Sequence, residues 1–329
     1  MQITRVEVTP VELSLRLPYH TVDGIEVNHT GAVFVRMETK QGSVDWGCTA
    51  VDPAFTDTPL DDVVRACQDC ADRARDLNPL NTEYALAELA EVAGDLPEAL
   101  CAFDIALYDL LGLAAGLPLY RLLGGYRPRI QTSITVSRAS IPETVELAGG
   151  YARQGFRILK IKSSHDAQED VRRMVAVHNA LPHLTLRLDA EGGYTVQQAL
   201  DVAHALEEAG ALQSVGGTTP LEMLEQPTPA DDLDALREVT RSSEVHILAD
   251  ESVRGPASAL EIAGRRAAHG LMIKLVTCGG IRCGRQIDAI ARAARMATMV
   301  GCVHEPALLI AAGLGLALSS PNVRYGDLD

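Results

Sequence analysis

The stretch Leu271-Met-Ile-Lys274-Leu-Val276 decides the fold class of this 329-residue chain. A run of this length that is apolar apart from one lysine is typical of a strand in a parallel sheet that is covered on both faces. Seven further short runs, rich in leucine or β-branched residues, follow Gly125 at nearly regular spacing, with helical patterns between them. They cover residues 131–136, 158–162, 185–189, 221–225, 246–250, 298–302 and 323–328.

Eight strands that alternate with seven helices are the sequence signature of a parallel (β/α) barrel. We therefore predict an α/β fold in which residues 126–329 form a modified TIM-like (β/α) barrel. Only the interval between the third and fourth barrel strands is long, and it contains a Gly-rich insertion at residues 214–219.

Residues 1–125 have a different pattern, which predicts a smaller α+β domain. Alternation over residues 3–17 and 32–39 predicts two antiparallel strands, and the polar segment 18–31 predicts a loop between them. Helical patterns follow, and their positions are 60–77, 82–93 and 97–115.

Charge and hydropathy exclude several classes of partner. The net charge is −15 and no run of clustered Lys and Arg is present, which argues against nucleic acid and anionic membranes. No apolar stretch reaches the roughly 18–20 residues of a membrane span, and the N-terminus lacks a secretory pattern. The seven scattered cysteines fit a reducing compartment, so we expect a cytoplasmic protein. Barrels of this kind often self-associate, and we expect a homo-oligomer.

Lysine is rare in this chain and is placed inside predicted strands. Only four of the 29 basic residues are lysines, and three of these, Lys160, Lys162 and Lys274, lie in apolar runs. Burial or a nearby like charge lowers the pKa of a lysine toward the range of a general base. Lys160 and Lys162 share one face of their strand, about 6–7 Å apart, so we expect each to lower the pKa of the other. This placement indicates proton-transfer chemistry.

Three carboxylates, Asp189, Glu225 and Asp250, end three consecutive predicted strands. The active site of a (β/α) barrel forms at the C-terminal ends of its strands. Carboxylates that meet there repel one another unless a cation lies between them, and hard oxygen donors suit Mg²⁺. We therefore predict one Mg²⁺ per subunit; the alternative is that these acids cap strand ends and pair with arginines.

The motifs around these residues resemble the enolase superfamily, muconate-lactonizing-enzyme subgroup. The resemblance rests on Lys160-x-Lys162, Asp189-Ala190, Glu225-Gln226-Pro227, Asp250-Glu251-Ser252 and Lys274, and on segments 102–109 and 118–125. It implies that residues 1–125 are a capping domain and that residues 126–329 are the catalytic barrel. It also implies that the three acids bind Mg²⁺ and that lysines on the second and sixth barrel strands face each other across the substrate.

The reaction that this resemblance implies is a 1,1-proton transfer next to a carboxylate. One lysine removes the α proton to give an ene-diolate that Mg²⁺ stabilises, and the opposed lysine returns a proton to the other face. Lys162 and Lys274 are the expected acid/base pair, with Lys160 beside them. Lyases and cycloisomerases of the subgroup retain the same lysines, so this set leaves the overall reaction open.

The last residues of the chain narrow the range of possible substrates. Asp327 and Asp329 alternate, and the Asp-x-Asp ending resembles that of dipeptide epimerases, in which two acids hold the α-ammonium group of the substrate. This similarity predicts a dipeptide epimerase; a solvated acidic tail is the alternative. Thr135, on the first barrel strand, is a further candidate substrate contact.

In such epimerases the loop between the first two strands, here about residues 18–31, sets side-chain preference. No arginine lies in it, so we expect a neutral, apolar or cationic side chain rather than an acidic one. His20 in this loop is a candidate substrate contact or ordinary loop polarity. His304 and Glu305, after the seventh strand, are candidate substrate contacts or a pocket wall.

One residue of the site motifs departs from the family pattern. Glu191 stands where the family usually has an amide. Its carboxylate is expected either to contact groups around the metal or to face a helix.

Other functions of the subgroup remain alternatives. A muconate-type cycloisomerase, an o-succinylbenzoate synthase or an N-acylamino acid racemase would not need Asp327 and Asp329 to bind an ammonium group. A barrel that has lost catalysis and serves as a scaffold is a distant alternative. A site that is no longer under selection for catalysis loses its costly buried charges first, and here the three lysines and the three acids are all present.

Overall fold

The structure, a computed structural model, describes residues 1–20, 26–53, 55–56, 58–209 and 221–329, with all their side chains except those at positions 16, 17 and 20. The Gly-rich insertion predicted at 214–219 and the centre of the predicted loop, 21–25, lie outside the described residues. Within the described part of the chain, no helix is long and apolar enough to cross a membrane.

The N-terminal sheet has three antiparallel strands in the order β1-β2-β3. Their bounds are β1 Ile3–His20, β2 Glu26–Thr39 and β3 Val44–Val51. The prediction of a loop over residues 18–31 is wrong at both ends, because β1 and β2 stay paired as far as His20 with Glu26. Backbone ladder bonds continue through these polar residues, since they do not depend on side-chain polarity.

Strand β3 is missing from the sequence prediction. Its apolar residues alternate with Asp45, Gly47 and Thr49, but in the first half of the strand Val44 and Trp46 are exposed and Asp45 is buried, the reverse of the usual sense. Gly47 is needed here, because a Cβ at this position would lie 1.8 Å from the carbonyl oxygen of Ala102. The strand is thus recognised by its close packing on a helix rather than by its pattern.

Three helices of this region confirm the predicted positions, and a short fourth follows. They are α1 Leu60–Ala74, α2 Thr82–Ala93, α3 Pro97–Ala115 and α4 Leu119–Leu122. Helix α3 ends at Gly116 in the left-handed conformation (φ 67°). Asp104 of α3 is fully buried and accepts hydrogen bonds from the backbone N–H groups of Ile281 (2.5 Å) and Arg282 (3.1 Å). These bonds join the N-terminal domain to the barrel.

The second sheet is parallel and has eight strands in chain order, which confirms the predicted (β/α) barrel. The first and last strands meet at a parallel bridge between Thr132 and Gly326. The strands are β4 Ile134–Val136, β5 Ile158–Lys162, β6 Thr185–Asp189, β7 Leu221–Glu225, β8 Ile247–Ala249, β9 Gly270–Lys274, β10 Ala297–Gly301 and β11 Val323–Asp327.

Helices lie between the barrel strands. They are α5 Ile141–Gln154, α6 Ala167–Ala180, α7 Val196–Glu208, α8 Leu233–Ser242, α9 Pro256–Arg265, α10 Leu275–Cys278, α11 Ile281–Ala293 and α12 Ala307–Ser319. Leu275 and Val276, the last residues of the run that we predicted as strand 271–276, belong to the short helix α10. Lys274 is therefore the last residue of its strand and not an interior one. The domain boundary at residue 125 stays a prediction.

Candidate active site

Strand register brings the predicted residues to one mouth of the barrel. Lys162 pairs in register with Asp189, and Asp189 with Glu225. On the other side Gly301 is in register with both Lys274 and Asp327. Because parallel strands end at the same edge, the polar residues at these ends must converge.

The three lysines are buried, and each contacts carboxylates. Lys162 Nζ donates to Asp189 Oδ2 at 2.8 Å. Lys160 Nζ lies 3.3 Å from Asp189 Oδ2 and 3.5 Å from Glu225 Oε1. The predicted site residues therefore form one charge network at the centre of the mouth.

Lys274 completes this network from the opposite side. Its strand, β9, is the sixth of the eight barrel strands, whereas β5, which carries Lys162, is the second. Lys274 Nζ donates to Asp250 Oδ2 at 2.6 Å. The side chains of Lys162 and Lys274 both reach Phe55, with Nζ to ring-centroid distances of 5.5 and 5.0 Å. One aromatic ring of the N-terminal domain thus covers both lysines.

The lysine pKa values differ from the sequence prediction. Burial lowers the pKa of Lys162, and Lys160 lowers it further, as the spacing predicts. Asp189 and Glu191 nevertheless hold the Lys162 pKa well above its ordinary value, and carboxylates do the same for Lys160. The predicted repulsion within the pair is present, but the acids around the pair outweigh it as long as they are not bound to a cation.

The donor set fits Mg²⁺. Glu225 Oε2 is buried without a hydrogen-bond partner, and burial followed by repulsion from Asp189 raises the pKa of Glu225 well above its usual range. A bound cation would relieve both costs. Among the described residues no three His, Cys, Asp or Glu side chains are arranged so that they could hold a metal ion as they stand, because each of these carboxylates contacts a lysine instead. Asp189, Glu225 and Asp250 are the candidate ligands.

A buried amide holds one of these candidate ligands, Asp250, in place. The Gln226 side-chain oxygen accepts hydrogen bonds from the backbone N–H groups of Asp250 (2.8 Å) and Ser252 (3.3 Å). Gln226 also follows Glu225 directly, with φ at 34°. This positioning role was missed in the sequence analysis, although Gln226 lies within the quoted Glu225-Gln226-Pro227 motif.

Asp327 and Asp329 lie beside the lysines. Asp327 Oδ2 accepts from Lys160 Nζ at 2.5 Å, and its other oxygen accepts from the Ser133 hydroxyl. Asp329 Oδ2 accepts from the backbone N–H of Thr135 at 2.6 Å. Thr135 thus contacts the predicted ammonium site through its backbone.

A cavity of about 840 Å³ opens at this mouth. Its polar lining includes Lys160, Lys162, Asp327, Asp329 and Glu305. Most of the remaining wall is apolar and includes Leu13, Leu15, Phe34, Phe55, Ile134 and Tyr151. The cavity therefore combines an apolar wall with buried charges of both signs, as a site for a small zwitterionic molecule requires.

Comparison with known proteins identifies the family. Residues 143–329 match the family described as Enolase C-terminal domain-like. The chain belongs to the enolase superfamily. It is 32% identical to the L-Ala-D/L-Glu epimerase of Bacillus subtilis, over 100% of this chain and 88% of that protein. It is also 32% identical to the L-Lys-D/L-Arg epimerase of Methylococcus capsulatus, over 99% of this chain and 88% of that protein.

A solved structure agrees with this assignment to the enolase superfamily. The dipeptide epimerase of Enterococcus faecalis V583, complexed with Mg and the dipeptide L-Leu-L-Tyr, superposes with a TM-score of 0.94 at 30% identity, covering 100% of this chain and 90% of that one. The predictions of family, fold and isomerase class are confirmed. These relatives act on different dipeptides at similar identity, so identity alone does not select the substrate.

Two further candidates of this enolase-superfamily site lie on the cavity wall. His304 Nδ1 lies 2.7 Å from Asp52 Oδ2, and its ring packs against Tyr19 with centroids 5.0 Å apart. The second of the two interpretations, a pocket wall, fits these contacts. Glu305 lines the cavity, and burial raises its pKa to about 8. The side chain of His20 lies outside the described residues.

Glu191 also faces the site. Its Oε1 accepts from Lys162 Nζ and from the Tyr19 hydroxyl, both at 2.8 Å, and its Oε2 lies 2.5 Å from Arg138 Nη2. Glu191 thus contacts Lys162 and, through its backbone N–H, Asp189 Oδ1 at 3.2 Å, and its role around a metal stays a prediction. Tyr19 and Arg138 were missed in the sequence analysis, because no motif marks them.

Proposed function

We propose that this protein is a Mg²⁺-dependent dipeptide epimerase. The observation that carries the proposal is that Asp327 and Asp329 line the same cavity as Lys160 and Lys162. Two carboxylates are suited to hold an α-ammonium group, and the lysines are suited to act on the carbon next to the substrate carboxylate.

The two lysines divide the proton transfer between them. Lys162 and Lys274 come from strands on opposite sides of the barrel, so a substrate between them presents one face of its α carbon to each. A lysine that has lost its proton would act as the base, and the ammonium on the other side would return a proton; the acids favour the charged form of Lys162 only while they pair with it rather than with a cation. Asp189, Glu225 and Asp250 would hold Mg²⁺, which would supply positive charge next to the substrate carboxylate.

The cavity wall supports a preference among dipeptides. No arginine is among the described residues that line it, which disfavours an acidic side chain. The apolar wall favours a neutral, apolar side chain. Glu305 also lines the cavity, and because of its carboxyl group a dipeptide with a cationic side chain remains the alternative substrate.

The proposal is tested by hydrogen exchange. The protein is incubated with Mg²⁺ in D₂O with pools of L,L-dipeptides and, separately, with N-succinyl amino acids, and deuterium at each Cα is scored by mass spectrometry. We expect exchange at the C-terminal residue of neutral or cationic dipeptides. Exchange of the N-succinyl compounds alone, or no exchange in any pool with metal shown to be bound, would refute the proposal.

A further inference from the structure

We propose that Glu191 is a positioning residue for Lys162 and that it links this lysine to the N-terminal domain through Tyr19. The inference rests on the proposed epimerase function for its catalytic consequence. Its structural part, the contact between Glu191 and Lys162, stands on geometry alone.

The Glu191 carboxylate is held from three directions. Lys162 Nζ and the Tyr19 hydroxyl donate to one oxygen, each at 2.8 Å. Arg138 Nη2 donates to the other oxygen at 2.5 Å. The Glu191 side chain is only 9% exposed, so few water molecules compete for these bonds.

The backbone of Glu191 is fixed as firmly as its side chain. Its φ of 48° is uncommon for a residue with a side chain, which marks a position that the surroundings impose. The next residue, Gly192, donates from its N–H to the carbonyl oxygen of Gln226 at 2.7 Å. A Cβ at Gly193 would lie 2.3 Å from the His165 ring, so the turn has no room to shift.

Tyr19 brings the N-terminal domain into this network. It lies one residue before the end of β1, and its ring is buried against His304. Burial raises the pKa of the Tyr19 hydroxyl to about 12, so it remains a donor. The end of the first strand is thereby tied, through one carboxylate oxygen, to a lysine of the barrel.

Among the described residues, Lys274 has no second hydrogen-bonded carboxylate of this kind. The one hydrogen-bond partner that the structure describes for its Nζ is Asp250. Lys162, by contrast, is held between Asp189 and Glu191. The loss of Glu191 should therefore affect proton transfer on one face of the substrate only.

The first test measures this asymmetry. Lys162→Ala and Lys274→Ala establish which epimer exchanges its α proton with which lysine in D₂O. Glu191→Ala is then expected to slow exchange of the epimer that faces Lys162 by about 10- to 100-fold and to change exchange of the other by less than about 3-fold. Glu191→Gln should restore part of the rate, and Tyr19→Phe should show a smaller loss on the same side.

Glu238→Gln, an exposed glutamate on α8, is the matched control and should leave both rates unchanged. Equal slowing of both epimers by Glu191→Ala would overturn the inference, because a general structural role predicts that result. Unchanged rates for both epimers would overturn it as well.

The second test does not depend on activity. The chain has only four lysines, so ¹³C,¹⁵N-lysine labelling gives four side-chain signals, which the lysine variants assign. Glu191→Ala should shift the Lys162 signal of the metal-free protein and leave that of Lys274 in place. An unmoved Lys162 signal would overturn the contact. If the wild-type protein exchanges no dipeptide, the proposed function fails while this measurement still decides the contact.

Discussion

Lys160 and Asp327 form a buried ion pair, with Nζ and Oδ2 2.5 Å apart, at the junction of the candidate metal site and the candidate ammonium site. Lys160 also lies within 3.5 Å of carboxylates on β6 and β7. Asp327 therefore already has a cationic partner. Asp329 accepts from an N–H group instead, and burial followed by Asp327 raises its pKa. The two acids are chemically similar but electrostatically unequal.

This inequality predicts different effects for the two acids. Asp329→Asn should raise KM for the dipeptide about 10- to 100-fold with a smaller change in kcat, since a charge-assisted hydrogen bond contributes about 1.5–3 kcal/mol. Asp327→Asn should also lower the free energy of unfolding, because the buried charge of Lys160 would then lack its nearest carboxylate. Steady-state kinetics and urea unfolding measure these effects. An unchanged KM in Asp329→Asn would argue against ammonium binding at this residue.

Replacing either opposed lysine should stop epimerisation. Lys162→Ala and Lys274→Ala are each expected to lower turnover on the order of 10³-fold, since each removes one of the two acid/base groups. Circular dichroism should show an intact fold in both. Chiral chromatography of the products measures turnover, and full turnover in either variant would rule out the two-base mechanism.

Mg²⁺ should stabilise the folded chain. Binding at about 100 times Kd contributes about 2.7 kcal/mol, so the melting temperature should rise with Mg²⁺ and fall again with EDTA. Glu225→Gln should abolish this response. Asp231→Asn, an exposed aspartate, is the control and should keep it. A response that persists in Glu225→Gln would place the ion elsewhere.

The burial of His246 leads us to expect a loss of stability in mild acid. It stacks on His269 with centroids 5.3 Å apart, and burial, with the charges of His269 and Arg324, lowers its pKa to about 4. Above pH 6.5 both folded and unfolded states are neutral here. Between pH 6.5 and 4 the unfolded chain binds more protons, so stability falls as the pH falls, by up to about 2 kcal/mol at pH 5.

Urea unfolding at pH 7 and pH 5 tests this dependence. The difference in unfolding free energy between the two pH values should shrink in His246→Phe. It should stay unchanged in His204→Gln, where the histidine is exposed on α7. An unchanged difference in His246→Phe would show that other groups carry the acid sensitivity.

The sequence determined the barrel and the composition of its mouth. Parallel strands that are covered on both faces have continuous apolar runs, and a polar residue at the end of such a run can lie only at the edge of the sheet. Asp189, Glu225 and Lys274 each end a strand, so local pattern was sufficient to place them together. Strand β3 was not predicted because the exposed side of its first half is the apolar one, and the paired ends of β1 and β2 were not predicted because backbone bonds hold them together in a polar stretch.

Only the tertiary structure decided how the charges at the mouth are paired. Lys160 and Asp327 are 167 residues apart, and Asp52 and His304 are 252 residues apart. The spacing of Lys160 and Lys162 predicted their mutual repulsion but not the carboxylates that outweigh it. The pKa of a buried group is a sum over all charges within a few ångströms, and that sum depends on distances between strands that no single stretch of sequence contains.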